Sequence, residues 1–98
     1  MGAKVIWSNL AQKEFYAIIT YLEINASEQA VEKFYRIVED KLDVLEKYPE
    51  SERLVEVSKH VRVVNLDKYR QMVYRIKGKS IYISHFFDMR QDPKKRPY

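Results

Sequence analysis

The sequence predicts an α+β fold of two layers, with an antiparallel helix hairpin packed on one face of an antiparallel sheet. Two segments in the first half of the chain carry apolar residues at helical spacing. Three segments in the second half are rich in the β-branched and aromatic residues that strands favour. A short apolar segment precedes the helices. Because both helices must bury their apolar stripes, we expect them on the same face of the sheet.

Length and composition indicate one small globular domain spanning residues 1–98. Hydrophobic residues make up 46% of the 98 residues, and there is no cysteine. The chain therefore has no disulfide and no thiolate metal ligand, which fits a cytoplasmic protein. No apolar run approaches the roughly 20 residues that cross a membrane, and the N-terminus lacks a leader-like apolar segment. We expect no membrane partner.

The first two elements are predicted to be a strand and a helix. Residues 4–7 (KVIW) are short and apolar, which is typical of a strand. Ser8 is placed to cap a helix over about 8–24, because its hydroxyl can accept a free backbone N–H of the first turn. Asn25 is expected to end this helix in a left-handed conformation. The apolar stripe of the helix consists of Ala11, Phe15, Ile18, Ile19 and Leu22.

A second helix is predicted over residues 27–48. Ser27 is its N-cap, and Glu28 in its first turn complements the helix dipole. Pro49 ends it, because the residue before a proline avoids the α region. The short link between the helices predicts an antiparallel hairpin. The apolar stripe consists of Ala30, Phe34, Ile37, Val38, Leu42 and Leu45.

The second half of the chain is predicted to form a three-stranded meander. Residues 50–59 are a polar loop with room for a short extended piece. Strands follow at 61–66, 70–77 and 80–87. Gly78 lies between the last two, and a glycine there can take the positive φ of a tight hairpin turn.

The last strand is apolar on both faces, which predicts a central, covered strand. By strict alternation, one set of side chains points to one face and the other set to the opposite face. The first set is Ile81, Ile83, His85 and Phe87, and the second is Tyr82, Ser84 and Phe86.

Positive charge is concentrated at the end of the chain. Residues 1–68 hold 10 Lys and Arg against 12 Asp and Glu, whereas residues 69–98 hold 8 against 2. Such an asymmetry favours an anionic partner, either nucleic acid or an acidic protein segment.

Local motifs along almost the whole chain resemble the RelE/ParE superfamily of toxins from type II toxin–antitoxin modules, also called plasmid stabilisation proteins. The superfamily has a ParE-like and a RelE-like branch, and the resemblance favours the ParE-like branch. The order of strand, two helices and three strands is also that of the superfamily. The motifs are Trp7-Ser8 with Ala11, Ile19 to Leu22, Ser27 to Ala30, Leu45 to Pro49, Tyr69-Arg70, Val73 to Ile76, and Asp88 to Pro93.

The resemblance implies a toxin that a cognate antitoxin neutralises, in a toxin–antitoxin hetero-oligomer. An extended or helical antitoxin segment rich in Asp and Glu is expected to cover the exposed sheet and the basic tail. ParE-like members inhibit DNA gyrase, whereas RelE-like members cleave messenger RNA on the ribosome. A basic nucleic-acid-binding module without toxicity is a third alternative, which the charge asymmetry supports but for which the sequence has no clear aromatic RNA-binding motif.

Candidate site residues follow from the resemblance and from the chemistry of RNA cleavage. The transition state needs charge stabilisation, for which arginine is suited, and groups that transfer protons. Arg90, Arg70 and Tyr98 match the catalytic positions if the protein is a nuclease. His85 is interpreted as structural. The residues expected to bind the target or nucleic acid are Arg62, Arg90, Lys94, Lys95 and Arg96.

Two departures from the nuclease pattern favour the ParE-like branch. Tyr69 and Tyr74 are five residues apart where nuclease members have four, so Arg70 would face the other side of the sheet or need a bulge. The strand at 61–66 carries only Arg62, where RelE-like nucleases have a pair of lysines. The long helix hairpin also resembles ParE-like members.

No metal or other cofactor is expected. The two histidines are far apart in the chain and no cysteine is present. With two glycines in total, the chain also has no phosphate-cradling glycine loop.

Overall fold

A computed structural model of the chain describes residues 3–56, 60–90 and 94. Its elements are β1 (Lys4–Trp7), α1 (Asn9–Asn25), α2 (Glu28–Lys47), β2 (Arg53–Glu56), β3 (Val61–Asn65), β4 (Arg70–Lys77) and β5 (Ser80–Asp88). The two helices and the strands from β3 to β5 are those predicted, with bounds that differ by one residue at most. Within the described ranges, no helix is both long and apolar enough to cross a membrane.

Serine side chains cap both helices as predicted. The Oγ of Ser8 accepts a hydrogen bond of 2.9 Å from the N–H of Ala11. The Oγ of Ser27 accepts one of 3.1 Å from the N–H of Ala30. Each cap satisfies a backbone donor that has no partner within its helix, and so fixes where the helix begins.

The predicted left-handed end of α1 at Asn25 is wrong. The helix continues through Asn25, and the N–H of Ala26 still bonds to the carbonyl of Leu22. The side-chain amide of Asn25 donates to the carbonyl of Tyr21 at 3.1 Å. The helix then ends at Ala26, whose φ of −132° is not left-handed.

The sheet has five strands in the order β1-β5-β4-β3-β2. The neighbours among β2 to β5 are antiparallel, and β1 pairs with β5 in parallel. The short extended piece allowed for in residues 50–59 is β2, an edge strand paired with β3. The parallel β1–β5 pair, which the sequence did not indicate, makes β5 an internal strand.

Both helices lie on one face of the sheet, which confirms the two-layer prediction. Phe15 and Leu22 of α1 and Phe34 and Leu45 of α2 belong to one cluster with the buried residues of that sheet face. The sheet residues of this cluster are Val64, Leu66, Met72, Tyr74, Ile81, Ile83 and Phe86. A second, smaller cluster of Val61, Val63 and Val73 lies on the opposite face.

The β4–β5 hairpin closes through the turn predicted at Gly78. Gly78 has φ +58°, a conformation that costs glycine nothing and other residues about 1 kcal/mol or more. Lys77 and Ser80 pair across the turn.

A β-bulge at Ser84 corrects the predicted alternation of β5. His85 pairs with Val73 and Ile83 pairs with Tyr74, so Ser84 has no residue opposite it. Because the extra residue resets the alternation, Phe86 joins Ile81 and Ile83 in the core below the helices. The prediction had placed Phe86 on the opposite face.

The turn that connects α2 to β2 is held by side chains of the sheet. The Tyr74 side chain is fully buried, and its hydroxyl donates to the carbonyl of Pro49 at 2.8 Å. Arg62 donates to the carbonyls of Glu52 at 2.8 Å and Glu50 at 3.2 Å. These contacts give Tyr74 a structural role that sequence patterning alone did not assign.

The buried Tyr74 hydroxyl makes stability fall at alkaline pH. Burial raises the pKa of Tyr74 from 10.0 to about 12, and nearby Arg62 offsets part of that effect. Above pH 10 the unfolded chain therefore loses this proton while the folded protein keeps it, which favours unfolding. Stability from this group is fully present below about pH 10, and about 2 kcal/mol is lost as the pH passes through about 12.

Chemical denaturation of Tyr74→Phe between neutral pH and pH about 12 measures this contribution. The variant should be less stable at neutral pH, because the Pro49 carbonyl loses its donor, and its stability should fall less steeply with alkali. Tyr35→Phe, at a ring that is 41% exposed, is the matched control and should follow the wild type. Equal alkaline slopes for all three proteins would contradict the assignment.

Candidate functional site

A cleft of about 280 Å³ opens where α1 meets the start of β4 and the end of β5. Arg70 and Arg90, the two arginines that the sequence predicted as catalytic candidates, both line this cleft. Its lining residues are Glu14, Ala17, Ile18, Tyr21, Arg70, Phe86, Asp88 and Arg90.

Arg90 is held at the rim of the cleft by Asp88. Its Nε donates to Oδ1 of Asp88 at 3.0 Å and its Nη2 donates to Oδ2 at 2.6 Å, a bidentate pair. The Arg90 N–H also donates to Oδ1 at 2.8 Å. The guanidinium carbon lies 4.5 Å from the centre of the Tyr69 ring. Carboxylate and ring together fix the orientation of a side chain that is 48% exposed.

Arg70 lies deeper and is paired with Asp67. The Nη1 of Arg70 donates to Oδ2 of Asp67 at 3.0 Å, and the other carboxylate oxygen accepts the N–H groups of Tyr69 and Arg70. The guanidinium lies 5.9 Å from the centre of the buried Phe34 ring. Arg70 therefore faces the helix layer, so of the two predicted alternatives, a turn to the other face or a bulge, the turn does not occur.

The bulge at Ser84 explains how Arg70 shares the cleft with Asp88. Without the extra residue, the register from Tyr74 and Ile83 would place Phe87 opposite Arg70, because each step along β4 matches one step along β5. With it, Asp88 pairs with Arg70. The bulge that the tyrosine spacing called for is thus present, in the partner strand rather than in β4.

Glu14 links α1 to the bulged strand. Its Oε1 accepts the N–H of Phe86 at 3.1 Å and lies 3.5 Å from Nδ1 of His85. His85 is half-buried and does not line the cleft. This geometry fits the structural role expected for His85.

The charges in the cleft balance one another. Among the residues that the structure describes, two guanidinium groups and two carboxylates line it, and the Asp88–Arg90 pair is the tightest of the contacts. The hydrogen bonds from Arg90 lower the pKa of Asp88, and the same contact raises the pKa of Arg90. Both groups are therefore charged at neutral pH, and an incoming anion would have to compete with Asp88 for Arg90.

The other predicted site residues do not join the cleft in the described part of the chain. Arg62 donates to the turn carbonyls after α2, and its role in binding a target stays a prediction. Lys94 is exposed. Lys95, Arg96 and Tyr98 lie outside the described residues, and their roles stay predictions.

Sequence reasoning missed the helix side of the cleft. Glu14, Ala17, Ile18 and Tyr21 recur at spacings of three and four residues, so they lie on one face of α1. This periodicity could have indicated a second, partly polar face beside the core stripe. No group of acidic residues and histidines in the described ranges could hold a metal ion.

The fold is shared with solved toxin structures. The chromosomal ParDE toxin–antitoxin system of P. aeruginosa matches with a TM-score of 0.72 and 20% identity, over 88% of this chain and 95% of that one. The YoeB/ParE toxin of Agrobacterium tumefaciens matches with a TM-score of 0.63 and 11% identity, over 87% of this chain and 96% of that one. The YoeB dimer of Staphylococcus aureus matches with a TM-score of 0.60 and 13% identity, over 87% of this chain and 94% of that one. No curated protein sequence matches the chain.

Together with a match to a family sequence profile, the helix hairpin on a five-stranded sheet defines a toxin of the RelE/ParE superfamily, as the sequence motifs predicted. The sequence profile for the ParE toxin of the type II toxin–antitoxin system parDE matches residues 5–93. The chain belongs to this ParE toxin family. As the toxin of such a module, it has an antitoxin partner.

Proposed function

We propose that this toxin acts in the ParE-like manner, by inhibiting DNA gyrase until its antitoxin neutralises it. The observation that supports this proposal is the charge balance of the cleft. Arg70 and Arg90 are each paired with a carboxylate of the same chain, and Glu14 lines the same cleft. No lysine lines it among the described residues.

RNA cleavage makes a demand that this cleft meets poorly. The transition state carries extra negative charge on the phosphate, and catalysis depends on preorganised cations aimed at it. Here both guanidinium groups already neutralise carboxylates. A protein target makes no such demand, because a partly exposed arginine over a tyrosine ring is a typical anchor at a protein interface.

The test compares the two targets with the same purified toxin. We expect it to inhibit supercoiling of relaxed plasmid by gyrase and to leave messenger RNA on translating ribosomes intact. Toxin preincubated with its antitoxin is the control, and it should be inactive in both assays. Rapid, antitoxin-sensitive cleavage of ribosome-bound message would overturn the proposal.

A RelE-like messenger RNA endonuclease is the second candidate, and one observation favours it. Arg70 and Arg90, the two arginines that match nuclease positions, line one cleft. In that case Tyr98→Phe should also slow cleavage, because its hydroxyl would transfer a proton. A protein that neither cleaves message nor inhibits gyrase, and whose expression is harmless, would be a nucleic-acid-binding module instead.

A further inference from the structure

The face of the sheet opposite the helices carries a compact basic patch at the β4–β5 hairpin. On β1, Val5 and Trp7 pack toward the helices, so Lys4 and Ile6 point to the opposite face. On the hairpin, Ile76, Ile81 and Ile83 pack toward the helices. Arg75, Lys77, Ser80 and Tyr82 therefore point to the same outer face as Lys4.

Strand register arranges these outer residues in two rows across three strands. Lys4 and Lys77 each pair with Ser80, which gives one row. Ile6 and Arg75 each pair with Tyr82, which gives the second row. Neighbouring strands are about 4.8 Å apart and the two rows are about 6.8 Å apart. Lys4, Lys77 and Arg75 therefore stand at three corners of one small rectangle. Lys79 is exposed in the adjoining turn, and we call Lys4, Arg75, Lys77, Lys79, Ser80 and Tyr82 the hairpin basic face.

The acidic side chains that the structure describes lie away from this face. Most described acidic side chains are on the two helices, and Glu50, Glu52 and Asp67 are in turns. Asp88 is in the cleft with Arg90. No ion pair within the described residues involves a cation of the hairpin basic face. Its positive charge is therefore available to a ligand, unlike that of the cleft arginines.

Tyr82 stands at the centre of the face. Its ring is partly exposed, and the Nζ of Lys77 lies 4.7 Å from its centre. An aromatic ring among cations on an open sheet surface suits a nucleic acid, since bases stack on such rings while the cations follow the backbone. The Ser80 hydroxyl is a further donor of the type that binds phosphate oxygens.

We propose that the hairpin basic face binds the phosphodiester backbone of a nucleic acid. An acidic protein segment fits less well, because an amphipathic partner needs apolar contacts and Ile6, beside this face, is the one exposed large apolar residue in the described strands β1, β4 and β5. The surface lies on the opposite side of the sheet from the cleft. It is independent of whether the cleft acts on gyrase or on the ribosome.

Fluorescence anisotropy with labelled oligonucleotides tests this proposal on the full chain. The probes are a 20-base-pair DNA duplex and a single-stranded RNA of 20 nucleotides. Lys4, Arg75, Lys77 and Lys79 give four cations. With all four engaged, a plot of the logarithm of the binding constant for the duplex against the logarithm of the salt concentration should have a slope of about −3 to −4. The double variant Arg75→Glu with Lys77→Glu should bind at least about 10-fold more weakly and lower the steepness of the slope by about 2.

A matched control separates the face from net charge. Lys13→Glu with Arg36→Glu makes the same change in net charge at two exposed positions on the helix layer. It should keep the wild-type slope and bind within about 3-fold of the wild type. Lys4→Glu, on a different strand, should weaken binding independently of the hairpin, and all variants should keep the wild-type thermal midpoint.

The arms of the experiment also identify the ligand. A larger loss on Tyr82→Ala for the single strand than for the duplex would show base stacking, and equal losses would show backbone contacts alone. Either result supports the proposal. Equal affinity of both double variants for nucleic acid would overturn it, and so would binding of polyglutamate that matches the oligonucleotides in affinity and depends on the same residues.

Discussion

Replacing Leu45 by alanine is expected to lower the free energy of unfolding by about 2–5 kcal/mol. Leu45 is 1% exposed on α2, in the cluster that joins both helices to the sheet. Truncation removes buried methyl groups and leaves a cavity that the packed elements close only partly. Phe34→Ala is expected to fall in the same range, because its ring is 3% exposed and packs on Phe15 with the ring centres 5.8 Å apart.

Urea denaturation measures both losses, and the chain offers a neighbouring control. Val44 precedes Leu45 on the same helix but is 47% exposed, so Val44→Ala should change stability by no more than about 0.5 kcal/mol. Of the two core variants, Leu45→Ala leaves the cleft intact, whereas Phe34→Ala also removes the ring beneath Arg70. A loss below about 0.5 kcal/mol for Leu45→Ala would show that the apolar stripe of α2 does not pack on the sheet.

Replacing Arg90 by alanine is expected to weaken the inhibition of gyrase at least about 10-fold, as loss of an interface hot spot does. The bidentate contact with Asp88 and the Tyr69 ring hold the guanidinium in one orientation before any target binds. Such preorganisation lowers the entropy lost on binding. Arg90→Lys should recover little activity, because an ammonium group cannot span both oxygens of Asp88.

The concentration of toxin that halves gyrase supercoiling is the measurement for these variants. Arg36→Ala, at an exposed position of α2, is the control and should retain the wild-type value. Full potency of the Arg90→Ala protein would show that Arg90 is not part of the surface with which the toxin binds its target. If the protein instead cleaves messenger RNA, Arg90→Ala should slow cleavage by about 10²–10³, as loss of one transition-state donor does.

Local sequence signals predicted the elements of this protein because each depends on a few neighbouring residues. Ser8 and Ser27 mark the helix starts, since a hydroxyl cap acts within a single turn. The apolar stripes of both helices lie in the core, and Gly78 takes the positive φ of the hairpin turn. The motifs along almost the whole chain together led to the correct superfamily, and two of them include Arg70 and Asp88, which line the cleft.

Longer-range features were decided by the tertiary structure. The parallel pairing of β1 with β5 and the edge strand β2 join segments far apart in the sequence, and no local pattern encodes which strands are neighbours. The bulge at Ser84 likewise depends on the partner strand, since an extra residue is defined only by what lies opposite it. That one residue decides which phenylalanine enters the core and places Asp88 opposite Arg70.

Local patterns and family motifs thus predicted the helices, the hairpin turn, the superfamily and the two arginines of the candidate site. Only the tertiary structure decided that Asp67 and Asp88 pair with those arginines and that Glu14 lines the same cleft. Only the tertiary structure also placed Lys4 beside the cations of the β4–β5 hairpin on the opposite face. The physical reason is that the charge of a site is set by every side chain within a few ångströms, and those neighbours come from segments that meet only when the sheet forms.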